Sequence, residues 1–109
     1  MAAEDKAKDL RGYRAEKWEG YVMVSQKVVI KNPTGLHLRP AGILCKEAMQ
    51  FKSLITFVFK GNTANAKSVL SVLGACVKCG DEIEFICEGE DEGEALRTLV
   101  KAIENGLGE

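Results

Sequence analysis

The stretch Thr34-Gly35-Leu36-His37-Leu38-Arg39-Pro40-Ala41 holds the single histidine of the chain. With Leu38 in the first turn of a helix, His37 falls at its N-cap, and Gly35 lets the chain turn sharply before it. The amides of Leu38 and Arg39 then lack intrahelical partners and point outward, with the positive end of the helix dipole behind them. Pro40 has no N–H but is tolerated in a first turn. Arg39 adds a planar cationic fork suited to phosphate oxygens. The arrangement is an anion site with a nucleophilic ring nitrogen at its centre. On spacing alone, a capping or structural histidine remains open as the plainer reading. No serine, cysteine or acid near His37 in sequence completes a hydrolase triad, and one imidazole does not complete a metal shell.

Two further groups of residues have chemical potential. Cys76-Val77-Lys78-Cys79 is a Cys-x-x-Cys unit, able in principle to bind metal or cycle a disulfide. With no second pair and no histidine nearby, free thiols at a helix end are the expectation, and no metal site is expected. Residues 81–94 contain eight acids and no bases. They lack the spacing of a calcium loop and read as a solvated strand face followed by an acid-rich helix start.

These residues need elements to position them. Residues 25–31 read as a strand, and Asn32-Pro33-Thr34-Gly35 as a turn. Ala41, Leu44, Cys45, Ala48 and Phe51 recur at helical spacing and predict a core-facing stripe. In residues 54–60, Ile55, Phe57 and Phe59 alternate on one strand face. Gly61-Asn62 predicts a tight hairpin returning through Thr63–Ala66. Ser68 is a cap for a short helix, VLSVLGA. Ile83, Phe85 and Cys87 alternate within residues 81–88. Asp91 is the expected cap of a last helix with the stripe Leu96, Leu99, Val100 and Ile103, and Gly106 stands where a helix end favours glycine. The order β-α-β-β-α-β-α, with one apolar face per element, predicts an α+β open-faced sandwich, an antiparallel sheet with its helices packed on one side. Residues 1–22 carry five acids, five bases and few aliphatics. Leu10, Tyr13, Trp18 and Tyr21 share one side of a helix on paper, although Gly12 and Gly20 weaken it. This segment is expected to be an N-terminal extension of uncertain structure, with the domain itself at 23–109.

Composition narrows the function classes. The chain has 109 residues, 46% hydrophobic and 28% charged, and a net charge of −1. That is a globular profile with no general attraction to nucleic acid or anionic membranes. No apolar run approaches the roughly 18 residues of a membrane span. The first residues have no apolar core of a secretory signal, so a cytoplasmic setting with reduced thiols is the expectation. Pattern alone would also suit a small ferredoxin-like ligand-binding domain.

TGLHLRPA, the later AKSVLSVLG and the closing ENGLGE together resemble HPr, the histidine-containing phosphocarrier family of the phosphotransferase sugar-uptake system; the resemblance runs from Met23 to Glu109. It implies an HPr-like fold, a phosphoryl group carried on Nδ1 of His37, and an Arg39 that stabilises it. The amides of Leu38 and Arg39 would assist. Ser68 matches the serine phosphorylated by a regulatory kinase in many relatives. Gly42, Ile43, Lys46, Met49, Val69, Leu70 and Leu73 match the docking face, ringed by Lys46, Lys67 and Arg39. Implied partners are enzyme I and the IIA domains of sugar permeases, together with an HPr kinase/phosphorylase and a catabolite repressor where those exist. No nucleic acid partner, no membrane insertion, no cofactor and a monomer are expected. Leu38 and Gly42 depart from the commoner residues at their positions. An HPr-like coactivator acting through Ser68 is the alternative; relatives specialised for that role lack the histidine.

Overall fold

The computed structural model describes residues 14–18 and 21–109, with side chains from Met23 onward. Strands β1 (Arg14–Trp18) and β2 (Tyr21–Val29) come first, then helix α1 (Leu38–Ala48), strands β3 (Leu54–Phe59) and β4 (Asn62–Asn65), helix α2 (Val69–Gly74), strand β5 (Glu82–Glu88) and helix α3 (Glu92–Glu104). After β1 the order is the predicted β-α-β-β-α-β-α. The strands form one sheet in the order β1-β2-β5-β3-β4, and every neighbouring pair is antiparallel.

Alternation in β3 and β5 sorts the sheet into two faces. Ile55, Phe57 and Phe59 of β3 and Ile83, Phe85 and Cys87 of β5 are buried, while their neighbours along each strand are half-buried or exposed. The helices cover the buried face with Ala41, Leu44 and Ala48 from α1, Val72 from α2, and Leu96, Leu99, Val100 and Ile103 from α3. Phe57 and Phe85 are cross-strand partners, and their rings meet edge-on at 5.8 Å with 70° between planes. Such a pair adds roughly 0.5–1.5 kcal/mol beyond its buried area.

Four local expectations change. The suggested helical side in the first residues does not form where it is described: residues 14–18 are a strand paired with β2, and Tyr21 opens β2 itself, whereas Leu10 and Tyr13 lie outside the described residues. β2 starts earlier, at Tyr21, where it pairs with Trp18 of β1, and ends at Val29, the last residue paired with β5. The hairpin turn is Lys60-Gly61, one residue earlier than expected. Both residues have positive φ (52° and 78°), the two-residue turn that matches strand twist, and β4 therefore begins at Asn62. Asp91 stands at the N-cap of α3 but makes no side-chain cap bond. Its carboxylate instead accepts from the amides of Lys52 and Ser53, at 2.9 and 3.0 Å, and from the Ser53 hydroxyl at 2.5 Å. These bonds, the Ser53 hydroxyl foremost, hold its pKa below the ordinary value. The acid therefore fastens the α1–β3 connection to α3 rather than capping the helix.

Among the described residues, no helix is long and apolar enough to cross a membrane.

Candidate functional site

His37 is the N-cap of α1, in extended conformation (φ −74°, ψ −178°), and its carbonyl accepts the first helical bond from Ala41 N–H at 2.8 Å. Its side chain makes no capping hydrogen bond and is exposed. The backbone caps and the imidazole does not, which removes the main support for a structural histidine. Leu38 and Arg39 occupy the first turn, where amides have no intrahelical acceptor. No acidic side chain occupies that turn, so nothing on the helix itself offsets its positive end. Arg39 is exposed.

The loop that delivers His37 is held from two directions. Ile30 N–H donates to the Asp81 carbonyl at 2.9 Å, Gly80 N–H to the Ile30 carbonyl at 2.7 Å, and Leu36 N–H to the Val77 carbonyl at 3.0 Å. The α2–β5 connection thus forms one wall. Gly35 must be glycine here: φ is +69°, and a Cβ would lie 2.6 Å from the Val77 carbonyl oxygen. Residues 105–109 supply the other support. α3 ends with Gly106 N–H donating to Ile103 O at 3.0 Å and Leu107 N–H to Ala102 O at 3.1 Å. This paired closure needs the left-handed Gly106 (φ 86°). Leu107 is buried beneath it. Glu109 is thereby brought to the His37 loop. Its Oε1 accepts from Asn32 Nδ2 at 3.0 Å and from Thr34 N–H at 3.2 Å, and the Thr34 hydroxyl lies 2.9 and 2.8 Å from its two oxygens. Asn32 is buried and also donates to the Gly35 carbonyl at 2.6 Å. Its amide and the Thr34 contacts, with the Arg39 charge a smaller influence, hold the Glu109 carboxyl below its ordinary pKa.

Sequence reading treated Asn32 and Thr34 as turn residues only and gave Glu109 no part in the site. Leu36, His37, Leu38, Leu73, Cys76, Val77 and Lys78 line a groove of ≈ 330 Å³ beside the imidazole.

The remaining candidate residues lie on α1 and α2, which pack on one another. Leu38, Met49 and Leu70 are 69%, 63% and 82% exposed, and Lys46 is exposed. Ile43, Val69 and Leu73 are half-buried and pack against the core, and Gly42 is half-buried. The face is therefore apolar but only partly free. Ser68 caps α2, its Oγ accepting from Ser71 N–H at 3.2 Å. Lys67 Nζ donates to the Phe51 carbonyl at 2.7 Å, tying the Ser68 loop to the end of α1. Cys76 and Cys79 are exposed free thiols. Among the described residues, no group of three or more histidine, cysteine or acidic side chains is placed to hold a metal ion.

The family described as the PTS HPr component phosphorylation site matches residues 24–105. The HPr-like protein Crh of Bacillus subtilis is 39% identical over 82 residues, covering 75% of this chain and 96% of that protein. The phosphocarrier protein HPr of Treponema pallidum is 36% identical, covering 76% of this chain and 94% of that protein. Among solved structures, HPr-C-His from Thermoanaerobacter tengcongensis superposes with a TM-score of 0.76 at 38% identity, covering 78% of this chain and 96% of that one. The chain belongs to the HPr family of phosphocarriers of the phosphotransferase system.

Proposed function

We propose that this chain accepts a phosphoryl group on His37 from phosphorylated enzyme I and passes it to IIA domains of sugar permeases. The observation that carries this reading is the exposed His37 imidazole, free of any capping bond, at the start of a helix whose next charged residue is Arg39. A neutral ring nitrogen attacks phosphorus in line, and the donor imidazole leaves from the opposite side. The protein contributes position and charge. The first-turn amides and Arg39 offset the phosphoryl oxygens. Because these groups are open to solvent, the phosphate is held only moderately, as suits a carrier that gives it away. The exposed apolar side chains of Leu38, Met49 and Leu70, with Lys46 and Arg39 beside them, suit acidic partners with an apolar docking surface.

The test is incubation with phosphoenolpyruvate and enzyme I, read by intact mass. One acid-labile, alkali-stable phosphoryl group is expected, and it disappears in His37→Ala. An adduct that persists in that variant removes the assignment. Arg39→Ala is expected to slow acceptance without lowering Tm.

A second reading is supported by Ser68 and by the likeness to Crh. Phosphorylation of Ser68 by a serine kinase would place charge at the start of α2, beside Val69 and Leu70. In this reading the chain also serves as a regulatory coactivator. Both roles can reside in one chain, since they use different residues.

A further inference from the structure

The Cys-x-x-Cys stretch takes no part in the chemistry above, yet the His37 loop rests on it. Of the four cysteines, Cys45 is half-buried, with its Sγ donating to the Lys67 carbonyl at 3.1 Å. Cys87 is buried, and desolvation, aided by Glu92 and Asp91, pushes its thiol up to about 12. Thiol–disulfide exchange needs an accessible thiolate. Cys76 and Cys79 are the exposed cysteines.

Cys76 follows the end of α2 in the left-handed region (φ 58°) and lines the groove beside His37. The Cys79 Sγ lies 3.6 Å from the Lys31 carbonyl. The two residues between them carry the load: Val77 O accepts from Leu36 N–H, and a Cβ on Gly35 would lie 2.6 Å from Val77 O and 2.7 Å from Lys78 Cα. Gly35 and Leu36 are therefore seated directly against Val77 and Lys78, and His37 is the next residue.

We propose that Cys76 and Cys79 form a reversible thiol–disulfide switch that moves the seat of His37. The oxidant is a low-molecular-weight disulfide. The thiolate of one cysteine attacks a sulfur of that disulfide, forming a mixed disulfide and releasing one small thiolate. The thiolate of the other cysteine then attacks the protein sulfur, forming the Cys76–Cys79 bond and releasing the second small thiolate. The protein pair loses two electrons and two protons, and the small disulfide is reduced to two thiols. The new bond confines the two Cα atoms to roughly 4.4–6.8 Å with fixed torsions. To reach it the Cys79 thiol leaves the Lys31 carbonyl, and the enclosed Val77 and Lys78 shift beneath Gly35. A misplacement of about 1 Å at a reacting group can cost on the order of 100-fold in rate. The inference rests on the carrier reading for its functional consequence only.

The experiment equilibrates the full chain in glutathione buffers of graded ratio, then alkylates and measures intact mass. The single histidine allows its ring resonances to be followed by NMR in the same samples, and phosphoryl acceptance from enzyme I is measured in parallel. The expected result is loss of two alkylatable thiols mapped to Cys76 and Cys79, a shift of the His37 resonances, and acceptance at least tenfold slower, all reversed by dithiothreitol. Cys76→Ser and Cys79→Ser should each abolish the resonance shift. A glutathione adduct retained on one cysteine in place of the internal bond overturns the proposal, as does an internal bond that leaves the His37 resonances unmoved. If the bond forms and the resonances move while the reduced chain accepts no phosphoryl group, the switch stands and the carrier reading falls.

Discussion

Glu109 is 77 residues away from Asn32 in sequence, yet its carboxylate binds the loop that presents His37. Its pKa is lowered first by the Asn32 amide and then by Thr34. A carboxyl with a depressed folded pKa stabilises the fold above the unfolded value, and that contribution is lost as pH falls through the folded value. Wild type is therefore expected to melt above Glu109→Gln at neutral pH. The gap should close as the pH falls below the ordinary carboxyl range, where the lowered Glu109 carboxyl takes up its proton last. A gap that persists unchanged at the acid end would mean that the contact does not depend on charge. Gly42 gives a second residue-scale expectation. It sits in α1, and a Cβ added there would meet nothing within 4 Å. Gly42→Ala is therefore expected to stabilise by about 0.5–1 kcal/mol, read from denaturant unfolding.

At the scale of elements, α2 is only six residues long and depends on its ends. Ser68→Ala removes the bond to Ser71 N–H and is expected to cost about 1 kcal/mol. Ser68→Asp keeps a good cap and places a negative charge at the helix start, so its Tm should stay near wild type. Its acceptance of phosphoryl groups should nevertheless slow through a raised apparent KM, and recover partly at higher salt, because charge on the proposed docking face would oppose an acidic partner. Wild-type transfer by Ser68→Asp at both low and high salt would leave Ser68 a cap and nothing more. The caps at His37, Ser68 and Gly106 were legible in the sequence, as were the stripes of α1 and α3, because each depends on residues within a turn or two. The capping bond expected of Asp91 was not legible as wrong: its acceptor role is fixed by Lys52 and Ser53, 39 and 38 residues away. The shift of the hairpin to Lys60-Gly61 has a different origin, since lysine takes a positive φ there that its residue type does not announce.

For the whole molecule, the stripes and alternation were enough to foresee a sheet with helices on one side, because burial must repeat with the period of each element. They did not reveal β1, because strand pairing with a sheet edge leaves no periodic mark in five residues. They did not reveal Glu109 in the site either, since the path of residues 105–109 is set by three successive positive-φ residues, one of them Leu107. The division of the chain at residues 22 and 23 is a proposal that the pairing of β1 makes testable. β1 runs alongside Tyr21–Ser25, the half of β2 remote from the loop that begins at Ile30. β2 pairs with β5 along its other edge, from Met23 to Val29. Each backbone bond of an edge strand contributes about 0.5–1.5 kcal/mol net, while ordering each residue costs roughly 1–2 kcal/mol, so the two nearly cancel. Deleting residues 1–20 is therefore expected to lower Tm by only a few degrees, a change of about 1 kcal/mol in a domain of this size. Amide hydrogen exchange should quicken at alternate residues between Tyr21 and Ser25 and stay unchanged in β5. Phosphoryl acceptance on His37 should remain within about twofold of wild type, because the described bonds that seat the His37 loop come from Asn32, Leu36, Val77, Gly80, Asp81 and Glu109. A collapse of Tm, or a large loss of acceptance with Tm intact, would make the first residues part of the working domain.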